Sequence, residues 1–185
     1  MTATRALPDL STPEAFLAWI DEQPYKYELI MGRLVLMAGG TNPHATIAVN
    51  AIVGLGSRLR GTRCRVYNSD FMVRISEKNY YYPDAAVACD ERRNYTDRPV
   101  LVVEVLSEAT RREDLGPKLE AYRQNDGIET ILYLHQDRPL AWLWLRGQER
   151  QVIQGMAATV EIGALGLTLP MAELYEGVET GPEIG

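Results

Sequence analysis

The sequence predicts an α/β (α+β) fold: a mixed central β-sheet with helices on its faces. Three observations carry this expectation. Short β-prone runs crowd the middle of the chain, and helix-periodic stretches stand before, between and after them. One run, Val100 to Leu106, is apolar and rich in β-branched residues, as a central strand covered on both faces should be. At 185 residues the chain suffices for one well-cored domain and falls short of two. The expected division is a single domain over 1–176, followed by a tail over 177–185 without periodicity.

The elements follow in order. Thr12 can cap a helix, Pro13 suits its first position and Glu14 complements its dipole; Phe16, Trp19 and Ile20 recur at helical spacing. Tyr25 to Ile30 and Arg33 to Met37, around Met31-Gly32, read as a hairpin. After the loop Gly39 to Pro43, a helix runs from His44 to about Arg60, with Ala48, Ile52, Leu55 and Leu59 on one apolar face. Strands are expected at Arg65 to Tyr67, Phe71 to Ile75, Tyr80 to Ala88 and Val100 to Leu106. A helix-compatible stretch spans Arg112 to Gln124. Further strands fall near Thr130 to Leu134, Leu140 to Leu145 and Gln151 to Ile153.

Composition narrows function without choosing it. Lys and Arg total 19 against 25 Asp and Glu, a net charge of −6, which excludes a protein that coats DNA non-specifically. It leaves room for an enzyme with a local basic groove around an acidic metal site. No apolar run reaches the ~18 residues of a membrane span, so no membrane partner is expected. Met1 to Leu10 lacks the basic start and apolar stretch of a secretory signal. Cys64 and Cys89 have no CxxC spacing and read as buried free thiols in a reducing compartment. The expected location is the cytoplasm.

Four charged residues stand out chemically. Glu104 is the one charge in Val100 to Leu106. An ionised carboxylate taken out of water costs several kcal/mol or more unless compensated, and a divalent metal would compensate it. The alternative is a solvent-facing position on an alternating strand. Asp84 follows Pro83 inside a β-prone run, where proline marks an edge, a strand start or a bulge that could aim a side chain into a site. A plain turn residue is its alternative. Oxygen ligands of this kind suit magnesium. Lys118 follows Asp114 by four residues, and a helix-surface ion pair alone accounts for that spacing. Turned toward the carboxylates, it would orient water or offset developing charge. Glu28 sits among Tyr27, Leu29 and Ile30, again a charge in an apolar setting or an exposed strand end.

Other templates fail. His44 opens a helix, a setting suited either to phosphate contact or to ordinary packing. With His135 it makes only two histidines, without HxH or HExxH spacing, which argues against a zinc site. GxSxG and Walker motifs are missing from the sequence, and Gly54-Leu55-Gly56 lies inside a predicted helix. Arg58, Arg60, Arg63 and Arg65 form a local basic cluster, read either as a solvated helix end or as a phosphate contact.

The ordered set Tyr27 to Gly32, Ala38 to His44, Tyr82-Pro83-Asp84, Val102 to Ser107 and Asp114 through Lys118 to Tyr122 resembles a known family. It is the widespread bacterial family of restriction-endonuclease-like proteins, formerly a domain of unknown function, within the PD-(D/E)XK nuclease superfamily. The likeness covers about Pro24 to Leu174 and implies a restriction-endonuclease-like fold. By that likeness Asp84 is the superfamily aspartate and Glu104 the acid of the (D/E)XK element. The Val105 carbonyl would be a further ligand, and Glu28 matches the acid of the first core element. Glu28, Asp84, Glu104 and Val105 would thus hold Mg2+ or Mn2+, with Asp84, Glu104 and Lys118 as the catalytic set. His44, Ser107, Arg111 and Tyr122 would support substrate or site, and Arg58 and Arg60 would track phosphates. The implied activity is metal-dependent endonucleolytic hydrolysis of phosphodiesters, on nucleic acid and on DNA in particular, with a homodimer as the form that cuts both strands. The alternative is a non-catalytic nucleic-acid-binding or protein-interaction module on the same fold. Leu106 departs from the superfamily pattern, which expects lysine there, and Lys118 is the position that matches the displaced role. His135 stands where an acid is expected.

Overall fold

The computed structural model describes residues 12–37, 39–107 and 114–179. Local chemistry starts the chain as expected. The Thr12 hydroxyl accepts from the Ala15 N–H at 3.2 Å and helix α1 spans Pro13–Ile20. Strands β1 (Tyr27–Ile30) and β2 (Arg33–Leu36) pair as the predicted hairpin. Met31 and Gly32 turn it with φ of 51° and 77°, the two left-handed residues that such a tight turn requires. Met31 tolerates that conformation because its N–H donates to Asn79 Oδ1 at 2.8 Å.

Helix α2 follows at Asn42–Arg58, then β3 (Cys64–Asn68), β4 (Met72–Ser76), β5 (Asn79–Tyr81), β6 (Ala85–Cys89), β7 (Tyr95–Thr96) and β8 (Leu101–Leu106). A kinked turn at Asp114–Lys118 leads into a short helix, α3 (Leu119–Gln124). The remainder comprises β9 (Thr130–His135), β10 (Leu140–Leu145), β11 (Gln151–Gln154), β12 (Thr159–Ile162), β13 (Leu167–Pro170) and helix α4 (Met171–Leu174).

Three sheets result among the described residues. A six-stranded sheet runs β11-β10-β9-β8-β6-β3, a five-stranded sheet runs β2-β1-β5-β4-β7, and β12 pairs with β13. Strand β8 lies parallel to β9 and antiparallel to β6, so the larger sheet is mixed and its apolar run is interior, as read from the sequence. The two-residue period of β8 divides the core. Leu101, Val103 and Val105 pack with Ile47, Ala51 and Leu55 of α2. Val102 and Leu106 face the other way, among Tyr122, Ile131, Tyr133 and Trp144. Glu104 belongs by period to this second face. Full burial of a side chain such as Ile47 or Leu55 contributes about 1.5–3 kcal/mol, so packing holds α2 to the sheet.

Several expectations need correction. The buried face of α2 is Ile47, Ala51, Gly54 and Leu55, followed by Leu59 at the C-cap; Leu55 and Leu59 are buried as expected, while Ala48 and Ile52 lie at the margin of the packed face. The run from Tyr80 to Ala88 is two strands in two different sheets, broken at Tyr82-Pro83-Asp84. Proline's missing N–H suits that change of sheet. Of the stretch Arg112 to Gln124, Arg112 and Glu113 lie outside the described residues, and the rest is not one regular helix. Gly116 takes φ −106° and ψ −110°, and Pro117 follows it, so the regular helix begins only at Leu119. The β12–β13 hairpin had no sequence reading at all.

Cys64 and Cys89 are not free thiols; they form a disulfide. They sit directly opposite each other on β3 and β6. A separation of 25 residues hid a pairing that only strand register creates. The compartment inferred from free thiols loses its premise. No helix among the described residues is long and apolar enough to cross a membrane. Val178, in the stretch expected as a tail without periodicity, packs against the main core.

Candidate functional site

The site forms where the two larger sheets meet the kinked turn. Glu104 projects from interior strand β8, Glu28 from β1, Asp84 from the segment entering β6, and Lys118 from the end of the turn. These four side chains line one cavity of about 260 Å³, together with His44, Ser107 and Asp114. An apolar wall from the hairpin, Ile30, Val35, Leu36 and Met37, closes one side.

Lys118 is its hub. Its Nζ lies 2.7 Å from Glu104 Oε1, 3.1 Å from Glu28 Oε1 and 3.3 Å from Asp114 Oδ1. The three acids and the ammonium are 3–6% exposed, so neither Glu104 nor Lys118 is the solvent-facing residue of the alternative readings. Two of the carboxylates are braced by further donors. Tyr122 donates its hydroxyl to Glu104 Oε1 at 2.7 Å, and the Tyr82 N–H donates to Glu28 Oε1 at 2.9 Å. Tyr133 donates to the Asp114 carbonyl at 2.6 Å, which pins the kinked turn to β9. The Tyr81 ring lies 5.5 Å from Lys118 Nζ, within reach of a cation–π contact.

Asp84 forms the outer part of the cavity. Its Oδ2 accepts from the Val105 N–H at 2.7 Å and stands 3.3 Å from His44 Nε2. Since Val105 follows Glu104, that bond ties the two acids into one register across β6 and β8. Pro83, which ends the preceding run, is what lets the chain carry Asp84 to this position before β6 begins.

The electrostatics follow from burial and crowding. Burial pushes the Glu104 carboxyl well above the usual range, and Asp114, Asp84 and Glu28 add to the rise while Lys118 opposes it. For Lys118 burial works against the charge, but Glu104, Glu28 and Asp114 outweigh it and hold the ammonium well above its ordinary pKa. Burial, then Glu104, raises the Tyr122 phenol, which keeps it a donor. His44 is raised chiefly by its hydrogen bond to Asp84, against burial, with the Asp84 and Asp114 charges and the Val105 backbone assisting.

Four acids therefore face one ammonium and one imidazole. No three His, Cys, Asp or Glu side chains among the described residues are arranged to cage a metal by themselves. A hard ion such as Mg2+ asks for less, one or two carboxylates with waters completing its shell. The donor chemistry and the uncompensated negative charge fit such an ion.

The structure thus gathers Glu28, His44, Asp84, Glu104, Ser107 and Lys118 around one cavity, with Tyr122 behind Glu104. Arg111 lies outside the described residues. Arg58 is not beside the site. It closes the far end of α2, about 21 Å from His44 at 1.5 Å per residue, and pairs with Glu173 at 2.9 Å. His135 occupies the end of β9 and packs edge-on against Trp142 at 4.5 Å rather than lining the cavity. Asp114 is the site residue that sequence reasoning left as a mere helix ion pair. Its position in a Gly-Pro-kinked turn was the available signal.

This arrangement defines a restriction-endonuclease-like α+β protein. A crystal structure described as that of a putative nuclease belonging to DUF820, from Anabaena variabilis ATCC 29413, matches with a TM-score of 0.75 over 89% of this chain and 97% of that one. Its 18% sequence identity speaks to fold alone. Residues 13–172 match the model of the Uma2 family, described as putative restriction endonuclease, and the chain belongs to that family. Two Synechocystis sp. (strain ATCC 27184 / PCC 6803 / Kazusa) proteins are also similar. Uncharacterized protein slr1290 is 31% identical, with 92% of this chain and 94% of the relative aligned. Uncharacterized protein sll1609 is 26% identical over 71% and 78%.

Proposed function

We propose that the protein is a Mg2+- or Mn2+-dependent endonuclease that hydrolyses phosphodiester bonds in DNA. One observation carries the reading: Asp84 and Glu104, bound into register through the Val105 N–H, open onto the same cavity as the ammonium of Lys118. Asp84, Glu104 and the Val105 carbonyl would hold the ion, with Glu28 assisting through Lys118. A bound divalent cation supplies Lewis-acid stabilisation and lowers the pKa of water at the site.

The chain's own groups account for the rest. Lys118 keeps its proton; its three N–H donors meet Glu28, Glu104 and Asp114, and one of them would turn to the reacting phosphate or the attacking water when substrate enters. Glu28 and Asp114 hold that ammonium from two further sides. Tyr122 fixes the Glu104 carboxylate from behind, so the acid approaches an ion in one orientation. The Uma2 description and the nuclease name of the structural neighbour support a nucleic-acid substrate. The apolar hairpin wall offers sugar and base a surface beside the charged floor.

The test is cleavage of supercoiled plasmid, linear duplex, single-stranded DNA and RNA with Mg2+ or Mn2+, using Glu104→Ala and Asp84→Asn as controls. Metal-dependent DNA cleavage is expected from the native chain and none from either variant, both retaining the native circular dichroism spectrum. Undiminished cleavage in either variant rejects the assignment. A native chain that binds DNA but never cuts it identifies a binding module instead.

A further inference from the structure

The loop Gly39 to Asn42 and the first turn of α2 do more than lead into a helix. The Thr41 hydroxyl accepts from the His44 N–H at 3.4 Å, capping α2, and donates to Gln136 Oε1 at 2.8 Å. The Gln136 N–H in turn donates to the Leu106 carbonyl at 3.3 Å. The start of α2 is thereby fastened to the ends of β8 and β9, the strand bearing Glu104 and the one beside it.

His44 stands on that fastened turn. Its side chain is 15% exposed, and its Nε2 lies 3.3 Å from Asp84 Oδ2. The same oxygen accepts from the Val105 N–H at 2.7 Å. A backbone N–H and an imidazole nitrogen at one oxygen would fix the carboxylate plane and leave the opposite oxygen, Oδ1, as the ligand atom. Gly40 makes room for the ring. A Cβ at residue 40 would lie 2.8 Å from His44 Nδ1 and 3.2 Å from its Cγ, and an imidazole held at both ends cannot yield without moving Nε2.

We infer that His44, seated by Gly40, is the positioning residue of Asp84: it donates from Nε2 to Oδ2 and so presents Oδ1 for a divalent cation. The inference rests on the metal-dependent reading above. Partners of metal ligands typically carry tenfold to hundredfold effects on affinity, because a ligand that must first be oriented binds less well.

Two measurements test it. In the metal-free protein, the Nε2–H proton of His44 should appear in the NMR spectrum as a slowly exchanging signal that Asp84→Asn shifts. No such signal, or one indifferent to that substitution, overturns the inference. In calorimetric titration with Mn2+, His44→Ala should weaken binding by about tenfold to a hundredfold. His44→Gln, whose amide nitrogen reaches the position of Nε2, should recover most of that loss. Gly40→Ala should weaken binding as well, with His44 itself unchanged. Affinity in His44→Ala within about threefold of the native chain overturns the role of His44 while leaving the metal site intact. Equal losses in the Ala and Gln variants also overturn it, since packing rather than donation is then at stake. The nuclease reading fails separately: the native chain then gives no more heat than Glu104→Ala, and the role of His44 falls with it.

Discussion

Lys118 and Arg93 each gather acidic side chains at nearly the same distances. Lys118 meets three carboxylates at 2.7–3.3 Å, and Arg93 meets Glu91 and Asp97 at 3.0 and 2.9 Å. Arg93 also stacks over the Tyr95 ring at 4.7 Å, as Lys118 faces that of Tyr81. The difference is water. The Lys118 side chain is 5% exposed and that of Arg93 is 45% exposed. At the surface Arg93 also meets more than one acid, but its own side chain and that of Asp97 are 45% and 44% exposed while Glu91 is 10% exposed, so water screens most of that group. In the core, three acids crowd one base where water cannot screen them, and burial with that crowding pushes the Glu104 carboxyl well above its usual range; under the proposed function a divalent cation would relieve it.

Removing the central cation should therefore separate the two clusters most sharply. Lys118→Met leaves buried acids without their partner and should cost about 3–5 kcal/mol of stability, read from denaturant midpoints, besides abolishing cleavage. A loss under about 1 kcal/mol would mean that the cavity is wet enough to treat Lys118 as a surface residue. Tyr122→Phe is the intermediate case. It deletes one donor from Glu104 and should cost about 1–3 kcal/mol, because a buried acceptor is left short of a hydrogen bond.

Arg93→Ala should be the smallest, about 0–1 kcal/mol, and salt should erase most of it. Its pH dependence has a definite sign. Hydrogen bonding to Arg93 lowers the Glu91 carboxyl to about 2. The contribution of this pair is complete above the ordinary carboxylate range and is lost as pH falls through that range toward about 2. An acid titration of thermal stability should show the loss in the native chain and a weaker one in Arg93→Ala.

The same contrast explains which parts of the site could be read in advance. Glu104 was visible because a charge inside a strand covered on both faces must be compensated. Lys118 stood out as a candidate, but only family likeness turned it toward the carboxylates, since Asp114 and Lys118 four apart describe an exposed helix pair equally well. The kink at Gly116-Pro117 buries both, and no spacing rule expresses that. Asp84 was suspected from Pro83, yet that the proline separates two sheets depends on what each strand pairs with. The basic cluster near Arg58 left a solvated helix end and a phosphate contact both open, and a 17-residue helix carries Arg58 to the opposite end from His44, which favours the first.

By itself the sequence determined what local chemistry can decide: the Thr12-Pro13 helix start, the Met31-Gly32 hairpin, the interior position of Val100 to Leu106 and the need to neutralise Glu104. These depend on neighbours a few residues apart, through dihedral preference and apolar period. Tertiary structure alone decided the Cys64–Cys89 bond, the convergence of Glu28, Glu104 and Asp114 on Lys118, and the hold of His44 on Asp84. Those contacts join residues brought together by strand register and sheet order, which are set by how whole faces pack and leave little trace in any short stretch of chain.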